Sequence, residues 1–174
     1  MPAAPDLDVR PGDVAWLMHD GTHGHVMLVA AVLRNAESVD LVTIEGNAND
    51  QVRSNIRTAR VPILGTVTCH RLMIPQLRGA LQDVKDAGLA GTIHSYDGCY
   101  VPRFIERNPE HAISLHTWGI AIDLDASTNY RGIKGTMDPK VVEIFKRWGF
   151  RWGGDWDYTD PMHFELGALL RSPR

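Results

Sequence analysis

The chain has only two cysteines, Cys69 and Cys99, in 174 residues. Two thiols cannot build a disulfide framework, and without a CxxC spacing they do not make a thiolate zinc cage. Two buried or idle thiols are expected, with one bridge between them as the open alternative. A basic run is also missing and the net charge is -3, so nothing marks an electrostatic footprint for nucleic acid or a basic helix for a membrane surface. The longest apolar stretch near the start, residues 25–33, falls far short of the roughly 20 residues needed to span a bilayer. Met1-Pro2-Ala3-Ala4-Pro5-Asp6 lacks the basic region and apolar core of a secretory signal. The expected location is the cytoplasm before release, or the extracellular cell wall by a route without a recognisable signal peptide. Repeats and low-complexity tracts are absent as well. What remains, 44% hydrophobic and 22% charged residues, is the balance of an ordinary globular chain, expected to be a monomer.

Taken in order, the first third reads as short strands. Residues 14–18, 25–33, 39–45 and 52–59 are apolar or alternating, and Gly, Asn, Asp and Ser clusters separate them, a pattern that suggests an antiparallel meander. Pro62 and Gly65 mark a junction. A helix is expected over 75–88, with Leu77, Ala80, Leu81 and Val84 on one face, Pro75 in its first turn and Gly88 as its stop. Residues 91–100 read as a strand plus turn. Alternation from 120 to 125 puts Ile120, Ile122 and Leu124 on one side of a strand and Ala121, Asp123 and Asp125 on the other, which is expected to face a cleft. Asp138-Pro139 opens a second helix, with Val141, Ile144, Phe145 and Trp148 as its apolar face and Gly149 as its end. Residues 163–166 alternate again. The class is α+β, a small antiparallel sheet with packed helices behind a β meander.

Histidines and carboxylates concentrate in two places, His116 to Asp125 and Asp160 to Glu165. Zinc takes imidazole and carboxylate ligands, and a catalytic site leaves one position open for water. His116, Asp123 and His163 are the candidate zinc ligands. Glu165 shares a strand face with His163 and is a candidate to orient it.

The wider pattern is more specific. Ser114-x-His116-x-x-Gly119-x-Ala121-x-Asp123 is followed by Trp152-Gly153-Gly154-Asp155-Trp156 and by Asp160-x-x-His163-Phe164-Glu165, with Tyr96-Asp97-Gly98 and Pro102-Arg103 upstream. Together these motifs, over about 63–170, resemble the zinc peptidases of the D-alanyl-D-alanine carboxypeptidase family. The VanY- and VanX-like enzymes belong to that family, and the resemblance is closest to the L-alanyl-D-glutamate endopeptidases of phage lysins. It implies a hedgehog/D-Ala-D-Ala-peptidase-like fold over 63–174. It also implies zinc on His116, Asp123 and His163, with Asp160 as the general base and Glu165 as the rival base. Arg103 would polarise the substrate or bind its carboxylate. Ser114 would bond substrate, with turn capping the plainer alternative. Tyr96, Trp152 and Trp156 would wall the cleft. The implied substrate is a peptidoglycan stem peptide, with L-Ala–D-Glu cleavage favoured over D-Ala–D-Ala carboxypeptidase action. A non-catalytic, zinc-stabilised cell-wall binding module is the competing reading.

Residues 1–62 carry a second resemblance. Pro11-Gly12-Asp13-Val14-Ala15-Trp16, Gly24-His25-Val26 and Ile44-Glu45-Gly46-Asn47 are similar to the second half of a CHAP-type amidase or peptidase domain. There His25 would be the base and Glu45 or Asn47 its orienting partner. No cysteine precedes Pro11, and such a histidine has no nucleophile to activate. An inactive remnant is expected, and a second metal site at His23 and His25 is not favoured.

Overall fold

A computed structural model describes residues 55–170 throughout and, upstream, the backbone of the strands at 14–18, 24–34, 39–48 and 51–53. The chain divides into two compact units, Met1–Asn55 and Ile56–Arg174. The first unit holds β1 (Val14–Met18), β2 (Gly24–Arg34), β3 (Val39–Ala48) and β4 (Gln51–Arg53), paired in the order β1-β2-β3-β4. Each neighbour pair is antiparallel, with a register shift between Val29 and Ala31. This is the expected meander. His25 stands opposite Leu17 and Glu45 opposite Met27, but the side chains of His25, Glu45 and Asn47, and all of His23, lie outside the described residues.

The second unit opens with a hairpin of β5 (Ile56–Val61) and β6 (Gly65–His70). Two expectations change here. Residues 52–59 are not one strand: β4 belongs to the meander, while β5 pairs with β6. The Pro62–Gly65 signal is therefore not the junction expected at residue 62. It is the hairpin turn, with Ile63 at φ 64° and Gly65 at φ 74°, and the division between units falls at Asn55 and Ile56. Turn chemistry reads the same in sequence whether the chain folds back on itself or passes to a new unit.

After the hairpin come α1 (Met73–Asp86), β7 (Tyr96–Gly98), β8 (Ala121–Leu124), α2 (Pro139–Arg147), β9 (Phe150–Trp152) and β10 (His163–Leu166). The sheet order is β7-β8-β10-β9 with antiparallel neighbours, so the unit is α+β. Residues 91–100 supply less strand than expected: a 3-10 turn, Ala90–Thr92, precedes the three-residue β7. Among the described residues no helix is long and apolar enough to cross a membrane.

Each helix starts and stops for local reasons. In α1, Met73, Ile74, Leu77, Ala80, Leu81 and Val84 form the buried stripe, and Gly88 reverses the chain at φ 74°. Asp138 caps α2 by accepting a hydrogen bond from the Lys140 N–H at 2.8 Å, a contact worth about 1 kcal/mol, and Pro139 follows in the first turn. Val141, Ile144 and Phe145 of α2 are buried. The Phe145 ring packs 4.5 Å from Phe164 of β10 and 5.3 Å from Phe150 of β9, centroid to centroid. Buried Gln76 ties the layers together: its Nε2 donates to the Trp148 and Ala168 carbonyls and its Oε1 accepts from the Leu170 N–H.

His70, at the end of β6, is 4% exposed. Its Nδ1 accepts from the Leu72 N–H at 3.3 Å, and its buried Nε2 has no partner among the described residues. Burial, with the nearby Arg71 charge adding, lowers its pKa from 6.5 to about 4. As pH falls below 6.5 the unfolded chain takes up a proton that the folded chain refuses. Stability therefore declines down to about pH 4, by up to about 3 kcal/mol. Urea unfolding between pH 7 and pH 4 checks this: the decline should be shallower by that amount in His70→Gln, and an equal slope in both proteins would exclude His70 as its source.

Candidate metal centre and active site

β8 and β10 bring the two ends of the site together. They pair antiparallel with His163 directly opposite Asp123, and such cross-strand neighbours point to the same face about 5 Å apart. His116 arrives from a different element, the 3-10 turn Leu115–Trp118, which Ser114 caps by accepting from the His116 N–H at 3.4 Å. Gly119 ends that turn at φ 63°. A Cβ there would meet the His70 backbone N at 2.8 Å, so the close passage of the turn over β6 requires glycine.

The three ligand candidates converge. His116 Nε2 lies 3.2 Å from Asp123 Oδ2 and 3.2 Å from His163 Nδ1, and His163 Nδ1 lies 3.1 Å from Asp123 Oδ1. Asp123 meets the two histidines through different oxygens; with one donor atom taken from each residue, all three lie within 4.8 Å of one another, a group that could hold a metal ion. Among the described residues it is the one such group of three. All three side chains are buried, at 1%, 8% and 7% exposure for His116, Asp123 and His163. The face of β8 expected to be wet is therefore covered. β8 lies inside the sheet, and the two histidines close over its carboxylate.

The outer nitrogens are also held. His116 Nδ1 donates to the Cys99 carbonyl at 2.8 Å, which leaves Nε2 to face the cluster. His163 Nε2 lies 3.4 Å from Glu165 Oε2, and the other Glu165 oxygen pairs with Arg151 Nη2 at 3.0 Å. Arg151 stands opposite Glu165 on the neighbouring strand. Each imidazole is thus fixed from behind, the usual support of metal-ligating histidine.

Electrostatics favour a cation. Burial opposes ionisation of Asp123, yet hydrogen bonds from His116 and His163 outweigh it and hold the carboxyl well below the usual range. Burial likewise opposes a charge on His163, but Asp123 and Glu165 push its pKa up to about 9. The pocket is built for positive charge, supplied by a proton when nothing else is there.

Asp160 sits at the rim. Its N–H donates to the Gly153 carbonyl at 2.8 Å, and its own carbonyl accepts from the His163 N–H at 3.0 Å. Gly153 makes this approach possible, since a Cβ there would strike the Asp160 carbonyl. The tryptophan-flanked Gly153-Gly154 step is thus a seat for Asp160. Oδ1 of Asp160 is buried without a hydrogen-bond partner among the described residues, and such an orphaned acceptor calls for a water or a substrate proton. Burial raises its pKa and the Asp123 charge adds to that, while His163, Arg131 and His116 oppose.

The remaining candidates fall in different places. Arg103 Nη2 lies 4.0 Å from Asp123 Oδ2 with a quarter of its side chain exposed, so its guanidinium borders the cluster. Trp156 is 38% exposed, with its ring centroid 5.3 Å from that of His163. Tyr96 is half-buried on β7, near enough for the Asp123 charge to help burial raise its pKa. The buried Ser114 hydroxyl acts as the cap already described. Half-buried Trp152 stacks on Phe164 and donates to the Pro161 carbonyl. Asp125 is structural, accepting from the His94 and Ser95 N–H groups.

Sequence reading missed three contributors. Thr117 Oγ1 both accepts from the Arg103 N–H and donates to the Arg103 carbonyl, each at 2.9 Å. Cys99 acts through its carbonyl, which no side-chain pattern encodes. Arg131 pairs with Glu106 at 3.2 Å and acts on Asp160. The cysteines correct an expectation: Cys69 and Cys99 form a disulfide, with Cα atoms 5.7 Å apart. A separation of thirty residues hid the pair, and only the hairpin's passage beside β7 brings them together.

The antiparallel α+β unit thus brings together a buried His-Asp-His group that could hold a metal ion, with the Asp160 carboxylate close by. Residues 107–166 match the family model described as D-alanyl-D-alanine carboxypeptidase. The matched segment contains His116, Asp123, Asp160 and His163, while Tyr96 and Arg103 lie outside it.

Because His163 carries a proton below about pH 9, a metal ion entering the cluster must displace it. Metal affinity should therefore rise about tenfold per pH unit between pH 6 and pH 8. Competition against a chromophoric chelator at several pH values tests this, and a flat profile would contradict it.

Proposed function

We propose that the unit from Ile56 onward is a zinc-dependent peptidase acting on peptidoglycan stem peptides, with the L-Ala–D-Glu bond as its favoured target. The observation that carries this reading is the His116, Asp123 and His163 triangle with the unpartnered Asp160 Oδ1 at its rim, within the segment that matches a carboxypeptidase family. The donor set suits zinc in number and type. When bound, zinc supplies a Lewis acid that acidifies water and polarises a carbonyl.

The chain's own residues do the rest. Asp160 Oδ1 takes the proton of the attacking water and returns it to the leaving amine nitrogen. Its raised pKa makes it a better proton acceptor than an ordinary carboxylate. Arg103 borders the cluster, 4.0 Å from Asp123 and a quarter exposed, and it stabilises negative charge developing on the carbonyl oxygen or holds a stem-peptide carboxylate. Glu165 is engaged by both His163 and Arg151, which fits an orienting role better than that of base. Trp156 offers an apolar wall beside His163.

Digestion of purified peptidoglycan with and without a chelator, with mass spectrometry of the new termini, tests the activity and names the bond. New N-terminal D-Glu that disappears with chelator is expected; no chelator-sensitive product from any wall type would defeat the peptidase reading. Asp160→Asn should keep zinc and lose about 10²–10⁴-fold in kcat. If the unaltered protein binds zinc and wall but cuts nothing, the non-catalytic binding module takes its place.

A further inference from the structure

The Cys69–Cys99 disulfide lies outside the segment of the family match, yet it is built into the support of one of the three ligand candidates. The end of β6 is stitched to the segment after β7 and to the His116 turn at successive residues. The Thr68 carbonyl accepts from the Tyr100 N–H at 3.1 Å, Cys69 is bonded to Cys99, and the His70 N–H donates to the Gly119 carbonyl at 2.8 Å. The Cys99 carbonyl in turn takes the His116 Nδ1 proton at 2.8 Å, and the His116 carbonyl accepts from the Val101 N–H at 3.0 Å. These contacts close a ring from β6 through Cys99 to His116 and Gly119, and back to β6. The disulfide is its one covalent cross-link, and both cysteines are at most 1% exposed.

We propose that this disulfide is a positioning element of the metal centre: by clamping the Cys99 carbonyl behind His116 it lets the centre take zinc tightly only when the pair is oxidised. The inference rests on the zinc reading above. With the bond broken, the segment after Gly98, where β7 ends, keeps only hydrogen bonds of the ring, Tyr100 to the Thr68 carbonyl and Val101 to the His116 carbonyl, with no covalent tie to β6. The Cys99 carbonyl can then leave His116 Nδ1. The ring loses the partner that fixes its tautomer and its aim, a loss that costs about 10–100-fold in metal affinity in comparable centres. Coupling between two sites is reciprocal. Zinc must favour the oxidised pair by the same factor, and a tenfold coupling lowers the midpoint potential of the cysteine pair by about 30 mV. In a reducing compartment the centre would be weak, and in an oxidising one it would be complete.

The test compares the oxidised protein, the same protein reduced by a water-soluble phosphine, and C69A/C99A. In the reduction the S–S bond breaks and each sulfur gains one electron and one proton. The phosphine becomes its oxide with an oxygen from water. After anaerobic removal of the phosphine, zinc affinity is measured by chelator competition. We expect the reduced protein to bind zinc 10–100-fold more weakly than the oxidised one, with C69A/C99A equally weak and indifferent to phosphine. A disulfide that merely stabilised the fold would lower the Tm of apo and zinc-loaded protein alike and leave zinc affinity unchanged, and that result overturns the proposal. If C69A/C99A does not fold, the midpoint of the cysteine pair in dithiol buffers, with and without saturating zinc, decides: a shift to lower potential supports the coupling and an unchanged midpoint overturns it. Equal zinc affinity in both redox states removes the coupling and leaves the peptidase reading standing. Zinc binding in neither state removes the metal centre and the coupling with it.

Discussion

The ionised Asp123 carboxylate, buried on an interior strand, is the constraint on which the second unit turns. A carboxylate taken out of water costs several kcal/mol unless charge and hydrogen bonds replace the solvent. At 8% exposure, Asp123 has that replacement from two directions in His116 and His163, with Arg103 at the margin. The replacement is incomplete without a cation, which explains why the same pocket holds a proton on His163 so firmly. The triangle is therefore costly as a purely structural device, and a bound cation would relieve that cost.

Every nearby element can be understood as aiming one group at that carboxylate. The β8–β10 register sets His163 opposite Asp123, and a slip of one residue would put Phe164 there and turn the ligand to the other face. The aromatic contact of Phe164 with Phe145 locks that register from the core side, so helix packing and ligand geometry are one problem. The capped turn at Ser114, with Gly119 at its end, swings His116 across. Gly153 lets Asp160 come close enough to feel both histidines and Asp123.

The cluster and Arg103 are supplied by different parts of the chain. His116, Asp123, His163 and Asp160 all come from the matched segment 107–166, and Asp123 and His163 sit on paired strands that hold them. Arg103 comes from an irregular segment, and its placement depends on Thr117 and on the Ser114 N–H. Irregular segments of this kind are where related proteins on one scaffold differ.

The amino-acid sequence alone determined the helices and the alternating strands, because spacing of apolar residues, Asp138-Pro139 and Gly88 are local signals. It also named the candidate ligands, because His116, Asp123 and His163 stand in motifs whose order and spacing are legible in the sequence. Tertiary structure decided what depends on residues distant in the chain. The Pro62–Gly65 turn became a hairpin only once β5 had β6 to pair with. The carboxylate face of β8 became buried only because two neighbouring strands and two histidines closed on it. Cys69 and Cys99, expected as idle thiols, became a bridge because the hairpin passes the end of β7. The contact between His116 and the Cys99 carbonyl is invisible in any residue pattern. Every residue carries a carbonyl, and only the fold decides which one a histidine meets.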